Sequence, residues 1–314
     1  MKPFCLSCNS ETSFFFEKFV PEINSKMQLF KCTKCSLVFV FPFPDHKQIQ
    51  SFYDSNYYEK PGFLVFFLQK FRVRKLSFLP KGKLLDVGCG NCSFVNVMAK
   101  KGWQSFGLDF SSESEKYFNK MVKPELDSNV KKVLFKPLKQ ANFEDDFFDL
   151  ITYWHVLEHL TDPVLELKEV KRILKPKGKL LIAVPNIESF SFKLFGKNWF
   201  HLDLPRHLIH FSPESLTKLL GSQGFKVEKI NYYSFEHNPF GVFQSLYNFL
   251  GFKWNFFHNI LRKRISPFSS LENIVNFVFT LLLLPIIIPF SFILAYLFSF
   301  LKKPDTFELV ARKV

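Results

Sequence analysis

A chain of 314 residues has room for one sizeable α/β domain with smaller attachments. Forty-two Lys and Arg against 28 Asp and Glu leave a formal charge of +14, which suits nucleic acid, phosphorylated substrates or an acidic membrane face. A Phe- and Lys-rich compositional bias would give the same count, so charge alone selects no partner. The opening MKPFCLSCNS has no unbroken apolar run with a small-residue cleavage site, so it is not read as a secretory signal. The six cysteines are then expected in a reducing compartment, where close pairs hold metal more often than they form disulfides.

Two such pairs come first. CLSC supplies Cys5 and Cys8, and CTKC supplies Cys32 and Cys35. Four soft thiolates in two C-x2-C knuckles complete a tetrahedral zinc site and leave no open coordination position, so the metal is expected to be structural. SFFFEKFV and MQLFKC, between the knuckles, predict the strands of a zinc ribbon over residues 1–45. Asn9 and Ser36 take the places where a glycine usually follows each knuckle. FPFPDHKQ reads as a stiff linker, and residues 46–80 as a helical, aromatic connector.

KGKLLDVGCGNCSF (81–94) predicts a strand running into a glycine turn, with SFVNVMAKKG as the following helix. That arrangement lets backbone approach a nucleotide-like ligand closely. WQSFGLDFS predicts a second strand ending in Asp109, placed to accept hydrogen bonds from two ribose hydroxyls. A dinucleotide and S-adenosylmethionine both fit this geometry. Cys89 and Cys92 make a further C-x2-C, whose redox reading is weak inside a cofactor loop.

FFDLITYW (147–154) predicts a buried strand, and HVLEH follows at its carboxyl end, where open α/β sheets bind ligands. His155 therefore sits where an acceptor should approach. HVLEH also matches the H-x-x-E-H of inverted zinc proteases, but it follows a strand directly and no third ligand is evident. The next helix starts at Asp162 and Pro163, with Leu165, Val170, Ile173 and Leu174 expected against the sheet. KLLIAVPN predicts another buried strand. Residues 186–211 form a long aromatic and His-rich connection before a helix opened by Ser212 and Pro213. Trp199, Asp203, Arg206, His207 and His210 suit a lid over an acceptor, and the alternative for His207 and His210 is that they cap and pack the loop.

LLDVGCGNCSF, GLDFS, FFDLITYWHVLEHLTDP and VKRILKPKGKLLIAVPN together resemble the class I S-adenosylmethionine-dependent methyltransferases, over residues 81 to about 233. The resemblance implies a Rossmann-like α/β sheet, mostly parallel with an antiparallel last strand. It implies that Asp86, Gly88, Cys89 and Gly90 line the methionine part of the cofactor and that Asp109 binds the ribose. The loop at Lys139 and Gln140 would border the adenine, where the family often carries an acidic residue. WFHLDLPRHLIHFSPESL resembles a subset of these enzymes often linked to bacterial surface-polysaccharide or lipid biosynthesis. Methyl transfer is an in-line displacement in which the protein mainly aligns the partners. A hydroxyl acceptor also needs a base or orienting group, a role assigned to His155. Trp199, Arg206 and His207 are assigned to the substrate, with Arg206 on an anionic part of it.

The chain ends unusually for such an enzyme. TFELVARKV looks like the last antiparallel strand of that sheet, with FKVEKINYY as its partner. Between them, Asn273 to Leu301 contains no charge and would extend about 43 Å as one helix. That length suits a single membrane crossing. Pro285 and Pro289, basic residues on both flanks and the returning strand argue instead for two short arms that dip into a membrane and come back. Residues 234–304 are therefore expected to be a membrane-associating insertion, with PFGVFQSLYNFLG at the interface. A buried hairpin packed on protein is the alternative. The methyltransferase domain would comprise residues 81–233 plus 305–314. The leading function is methylation of a small-molecule, glycan or lipid-linked acceptor at the cytoplasmic face of a membrane, with nucleic acid unlikely as a partner. An RNA methyltransferase with a zinc-ribbon RNA-binding module and a non-catalytic cofactor-binding adaptor are the alternatives.

Overall fold

The computed structural model describes residues 2–45, 48–49, 52, 71–76 and 79–314. Most of the predicted connector over residues 46–80 lies outside the described residues; within it, 71–76 are helical. The amino-terminal strands β1 (Thr12–Val20) and β2 (Ser25–Cys32) form an antiparallel hairpin, which turns where Asn24 takes the left-handed conformation. Strand β3 (Val38–Val40) adds to β2.

The second sheet follows the predicted elements. Strands β4 (Lys83–Val87), β5 (Gln104–Asp109), β6 (Val130–Phe135), β7 (Phe148–Trp154) and β8 (Leu174–Pro185) are parallel. They combine with β10 (Phe225–Asn231) and β11 (Thr306–Lys313) in the order β10-β11-β8-β7-β4-β5-β6. Strand β11 runs antiparallel to both β8 and β10, as the reading of TFELVARKV required. This is a Rossmann-like sheet whose order reverses direction beside β4, so the crevice at the carboxyl ends of β4 and β7 is the expected ligand position.

Helix α1 (Ser93–Lys100) follows β4, and α2 (Ser112–Tyr117) follows β5. Helix α3 (Pro163–Ile173) begins as predicted: the Asp162 carboxylate accepts from the Leu165 N–H at 2.9 Å, and Pro163 occupies the first turn. Val170, Ile173 and Leu174 are buried, but Leu165 is 55% exposed and Leu167 is buried instead. At about 100° per residue Leu165 stands about 140° around the helix from Val170, whereas Leu167 stands about 60° from it. Helix α4 (Phe190–Phe195) opens the long connection after β8. Strand β9 (Ile209–His210) ends it and pairs with β3, completing the four-stranded amino-terminal sheet. Helix α5 (Pro213–Ser222) starts at Ser212, whose hydroxyl accepts from the Ser215 N–H while the Ser215 hydroxyl accepts from the Ser212 N–H.

The insertion between β10 and β11 contains α6 (Asn238–Phe249), α7 (Phe256–Leu261) and α8 (Leu271–Phe300). The two short arms expected from Pro285 and Pro289 are not found: α8 is one continuous helix through both prolines. Each proline removes one backbone hydrogen bond, but Ile287, Leu283 and Leu284 pack on Phe243 and Tyr247 of α6 and hold the helix across the gap. One stripe of α8 is buried: Asn273, Thr280, Ile287, Ser291, Ala295 and Phe298. The opposite face exposes Leu282, Ile286, Ile293, Tyr296 and Phe300. By length and composition α8 could cross a membrane, with a mean hydropathy of 2.6.

Candidate active site

The glycine loop is held from behind. The N–H groups of Gly88 and Cys89 both donate to the Leu108 carbonyl of β5, at 2.7 and 3.0 Å. Gly88 has φ +73, and a Cβ there would collide with Val156 at the end of β7. Only glycine lets the two strand ends meet so closely. Gly90 has φ +52 and faces open space. Asp86, the penultimate residue of β4, is buried, with its Oδ1 accepting from the Thr152 hydroxyl at 2.6 Å. Burial pushes its pKa up to about 7, against the Thr152 hydrogen bond. Asp109 is also buried, which raises its pKa; it accepts from the N–H of Gly90 at 2.9 Å and of Ser111 at 3.0 Å. The structure therefore brings Asp86, Gly88, Cys89, Gly90 and Asp109 together at the adjoining carboxyl ends of β4 and β5.

Gln140 lies exposed on the short 3-10 turn Leu138–Ala141 after β6. Cys89 and Cys92 are buried free thiols with Sγ atoms 3.4 Å apart. The Cys92 thiol hydrogen bond and burial raise the Cys89 pKa well above its ordinary value, which keeps it protonated and unreactive.

Beside this loop is a cavity of about 170 Å³ whose lining includes Arg72, Trp154, His155, Tyr233, Phe235 and His237. His155 sits in the left-handed region, φ +57, directly after β7, with its N–H donating to the Ala183 carbonyl at 2.9 Å. Its ring stands 4.0 Å, centroid to centroid, from that of His237. Arg72 lies 5.0 Å over Trp154 and makes a two-pronged ion pair with Glu236, at 2.9 and 2.7 Å. Arg72, His237 and the 233–236 rim were not singled out in the sequence. They come from two segments far apart in the chain, and no local motif marks them.

The 186–211 connection is a packed wedge rather than an open lid. Trp199 is fully buried, and its indole N–H donates to Asp305 at 2.6 Å, while the Ser191 hydroxyl donates to the same carboxylate at 2.8 Å. Trp199, Leu202 and Leu204 share a core with Val20, Leu29 and Val40 of the amino-terminal sheet. The substrate contact expected of Trp199 is thus replaced by a core position. Arg206 is likewise turned onto Asp203, its Nε donating at 2.9 Å. His207 is buried, with Nδ1 bonded to the His201 carbonyl at 2.8 Å, and His210 is buried on β9. Behind them lies Glu158, which is 1% exposed and has imidazoles on several sides. Burial would raise its pKa, but His155, His159 and His207 outweigh that and hold it at about 2.

The amino-terminal cysteines also converge. Cys5 and Cys35 have Sγ atoms 3.5 Å apart, as do Cys8 and Cys32, and all four lie within 4.8 Å of one another. Backbone N–H groups of Ser7, Lys34 and Cys35 point at the sulfurs of Cys5 and Cys32. Four thiolates with such donors fit a tetrahedral zinc ion, as the knuckle spacing required.

The sheet order, the glycine loop and the two buried carboxylates define a nucleotide-binding α/β enzyme of the methyltransferase kind. The chain belongs to the methyltransferase-domain family, which matches residues 63–230, more than half of its length. It therefore carries an S-adenosylmethionine-dependent methyltransferase domain. It is 34% identical over 163 residues to an uncharacterised protein of Methanocaldococcus jannaschii, covering 49% of this chain and 64% of that one. It is 29% identical to a ubiquinone/menaquinone biosynthesis C-methyltransferase of Geotalea daltonii, covering 46% and 57%. A ubiquinone biosynthesis O-methyltransferase of Aliivibrio fischeri is 26% identical, covering 50% and 68%. The chain thus spans 64% and 57% of the length of the first two of these relatives. The crystal structure of the (4+2)-cyclase SpnF shares the fold, with TM-score 0.54 at 16% identity over 86% of this chain and 97% of that one. A cyclase on the same scaffold shows that fold does not fix the reaction.

Proposed function

We propose that the chain is an S-adenosylmethionine-dependent methyltransferase whose acceptor is a small-molecule, glycan or lipid-linked compound met at the cytoplasmic face of a membrane. The observation that carries the membrane half of this reading is an aromatic bridge. Phe235 and Tyr233 on the cavity rim contact Phe292 and Tyr296 of α8, with ring centroids 5.6 and 6.5 Å apart. The wall of the cavity is continuous with the exposed apolar face of α8. An amphipathic acceptor can keep its tail on that face while its polar head enters. A structural zinc in the four cysteines completes the amino-terminal ribbon.

The bound cofactor supplies an electrophilic methyl group. Asp109 would take its ribose hydroxyls, Asp86 and the Gly88–Gly90 loop its methionine part, and Gln140 would border the adenine. His155 lines the cavity directly after β7, so it would orient the acceptor or take a hydroxyl proton. His155→Ala should lower turnover by roughly 10²–10⁴ with cofactor affinity unchanged. A loss of only a few-fold would return His155 to packing.

The acceptor class is tested with methyl-labelled cofactor, full-length protein and separated membrane, cytosolic and RNA fractions. Label should enter organic-extractable material from the membrane fraction. Label confined to RNA would favour an RNA methyltransferase, and no label in any fraction would favour a cofactor-binding adaptor.

A further inference from the structure

We infer that Glu158, His159 and His207 form a binding site for one divalent transition-metal ion, which ties the 199–211 connection to the carboxyl end of β7. One ligand atom from each residue lies within 4.8 Å of the other two. The set is not an accidental surface cluster. Glu158 is 1% exposed, and among the described residues neither of its carboxylate oxygens has a hydrogen bond. A buried carboxylate without donors is stabilised by nearby positive charge, which imidazoles supply only when protonated and a bound metal ion supplies at any pH. Its ion-pair neighbours among the described residues are imidazoles, His155 Nδ1 at 3.4 Å and His207 Nε2 at 4.0 Å.

The histidines are oriented as ligands are. His207 Nδ1 is bonded to the His201 carbonyl at 2.8 Å and His159 Nδ1 to the Arg206 carbonyl at 2.9 Å. A carbonyl accepts only from N–H, so each neutral ring carries its lone pair on Nε2. His207 Nε2 then faces two carboxylates, Glu158 at 4.0 Å and Asp203 at 3.7 Å. Those gaps are too long for direct hydrogen bonds. They are close to the separation of about 3.3–3.6 Å between neighbouring ligands of one tetrahedral ion. Two residues of the H-x-x-E-H stretch, Glu158 and His159, thus meet a further ligand on the connection after β8, while His155 stands outside the set. Leu208, one residue beyond His207, already donates its N–H to the Glu158 carbonyl at 2.9 Å, so the two segments are in register without the ion.

Mixed imidazole and carboxylate donors suit zinc, iron, cobalt or manganese, whereas the four amino-terminal thiolates disfavour manganese. Mn²⁺ therefore distinguishes the two sites. Full-length protein with its cysteine-bound zinc retained would be titrated with Mn²⁺ and followed by electron paramagnetic resonance. The expected result is one Mn²⁺ per chain with hyperfine coupling to imidazole nitrogen. Glu158→Gln and His207→Ala should each weaken binding by at least about tenfold. Cofactor affinity and one retained zinc per chain would show that these variants are folded. The spectrum of the unsubstituted protein gives a readout independent of them. No Mn²⁺ binding, bound Mn²⁺ without nitrogen coupling, or equal affinity in both folded variants would overturn the proposal.

Discussion

Asp86 and Asp109 flank the glycine loop from neighbouring strands, and burial raises the pKa of both. For Asp86 the folded value of about 7 lies above the ordinary 3.8, so the folded protein binds an extra proton between those values. The contribution of this group to stability is therefore greatest at low pH and is lost as pH rises towards 7. A cationic cofactor reverses the preference, because its positive groups favour ionised Asp86. Cofactor affinity should climb as pH is raised through about 7, with proton release on binding below that point. Calorimetry in two buffers of different ionisation enthalpy measures the release, and a pH-independent affinity would remove Asp86 from the cofactor contact. Asp109→Ala should weaken cofactor binding by about 1.5–3 kcal/mol, the range for a charge-assisted hydrogen-bond acceptor. Unchanged affinity would show that Asp109 is not the ribose ligand.

Among the elements, α8 has its polarity reversed with respect to a helix of a water-soluble domain. Asn273, Thr280 and Ser291 face the protein, whereas Leu282, Ile286 and Ile293 face outward at 66%, 69% and 65% exposure. The Thr280 carbonyl accepts from the Tyr247 hydroxyl at 3.0 Å, and Asn273 accepts from Lys253 at 3.1 Å, so the helix is fastened along its polar side. Replacing Leu282, Ile286 and Ile293 together by Ser should abolish sedimentation with anionic phospholipid vesicles while leaving the folded state intact. Each substitution removes on the order of 1.5 kcal/mol of apolar transfer, about tenfold in partitioning. Equal sedimentation of parent and variant would refute membrane docking through this face. The proline-broken arms were the natural sequence expectation because proline carries a local penalty. What overrides it is α6, whose aromatic residues pack across the gap from more than thirty positions away. Elements with local signals were legible: the glycine turn, the Asp162 cap and the alternation in β11. Trp199 was misplaced because its partner, Asp305, lies 106 residues away in the chain. His207 was read as a lid residue, with loop packing as the alternative, and its nearness to Glu158 exists only once β9 has docked.

At the scale of the whole molecule, the amino-terminal ribbon is not a detached module. Val38 and Phe39 of β3 pair with His210 and Ile209 of β9, and the Val40 N–H donates to the Leu208 carbonyl at 2.9 Å. Cys5, Phe30, Leu37 and Phe39 belong to the same buried cluster as Ile209, Phe211 and Leu216 of the methyltransferase side. The sheet that the cysteines close is therefore the sheet that fixes the connection behind His155 and Glu158. Metal binding to four thiolates contributes folding free energy on the order of 10 kcal/mol, far more than three short strands can supply alone. Substituting Cys5 and Cys8 by Ser removes two of the four thiolates and leaves the Glu158 cluster untouched. In that variant, amide hydrogen exchange should accelerate in β1–β3 and, together with them, across residues 199–211. Amides of β4 and β7 should keep their protection, because five parallel strands and their helices form a separate cooperative unit. Rapid exchange confined to residues 2–45, with 199–211 still protected, would mean that the ribbon folds as an independent domain and that β9 needs no support from it.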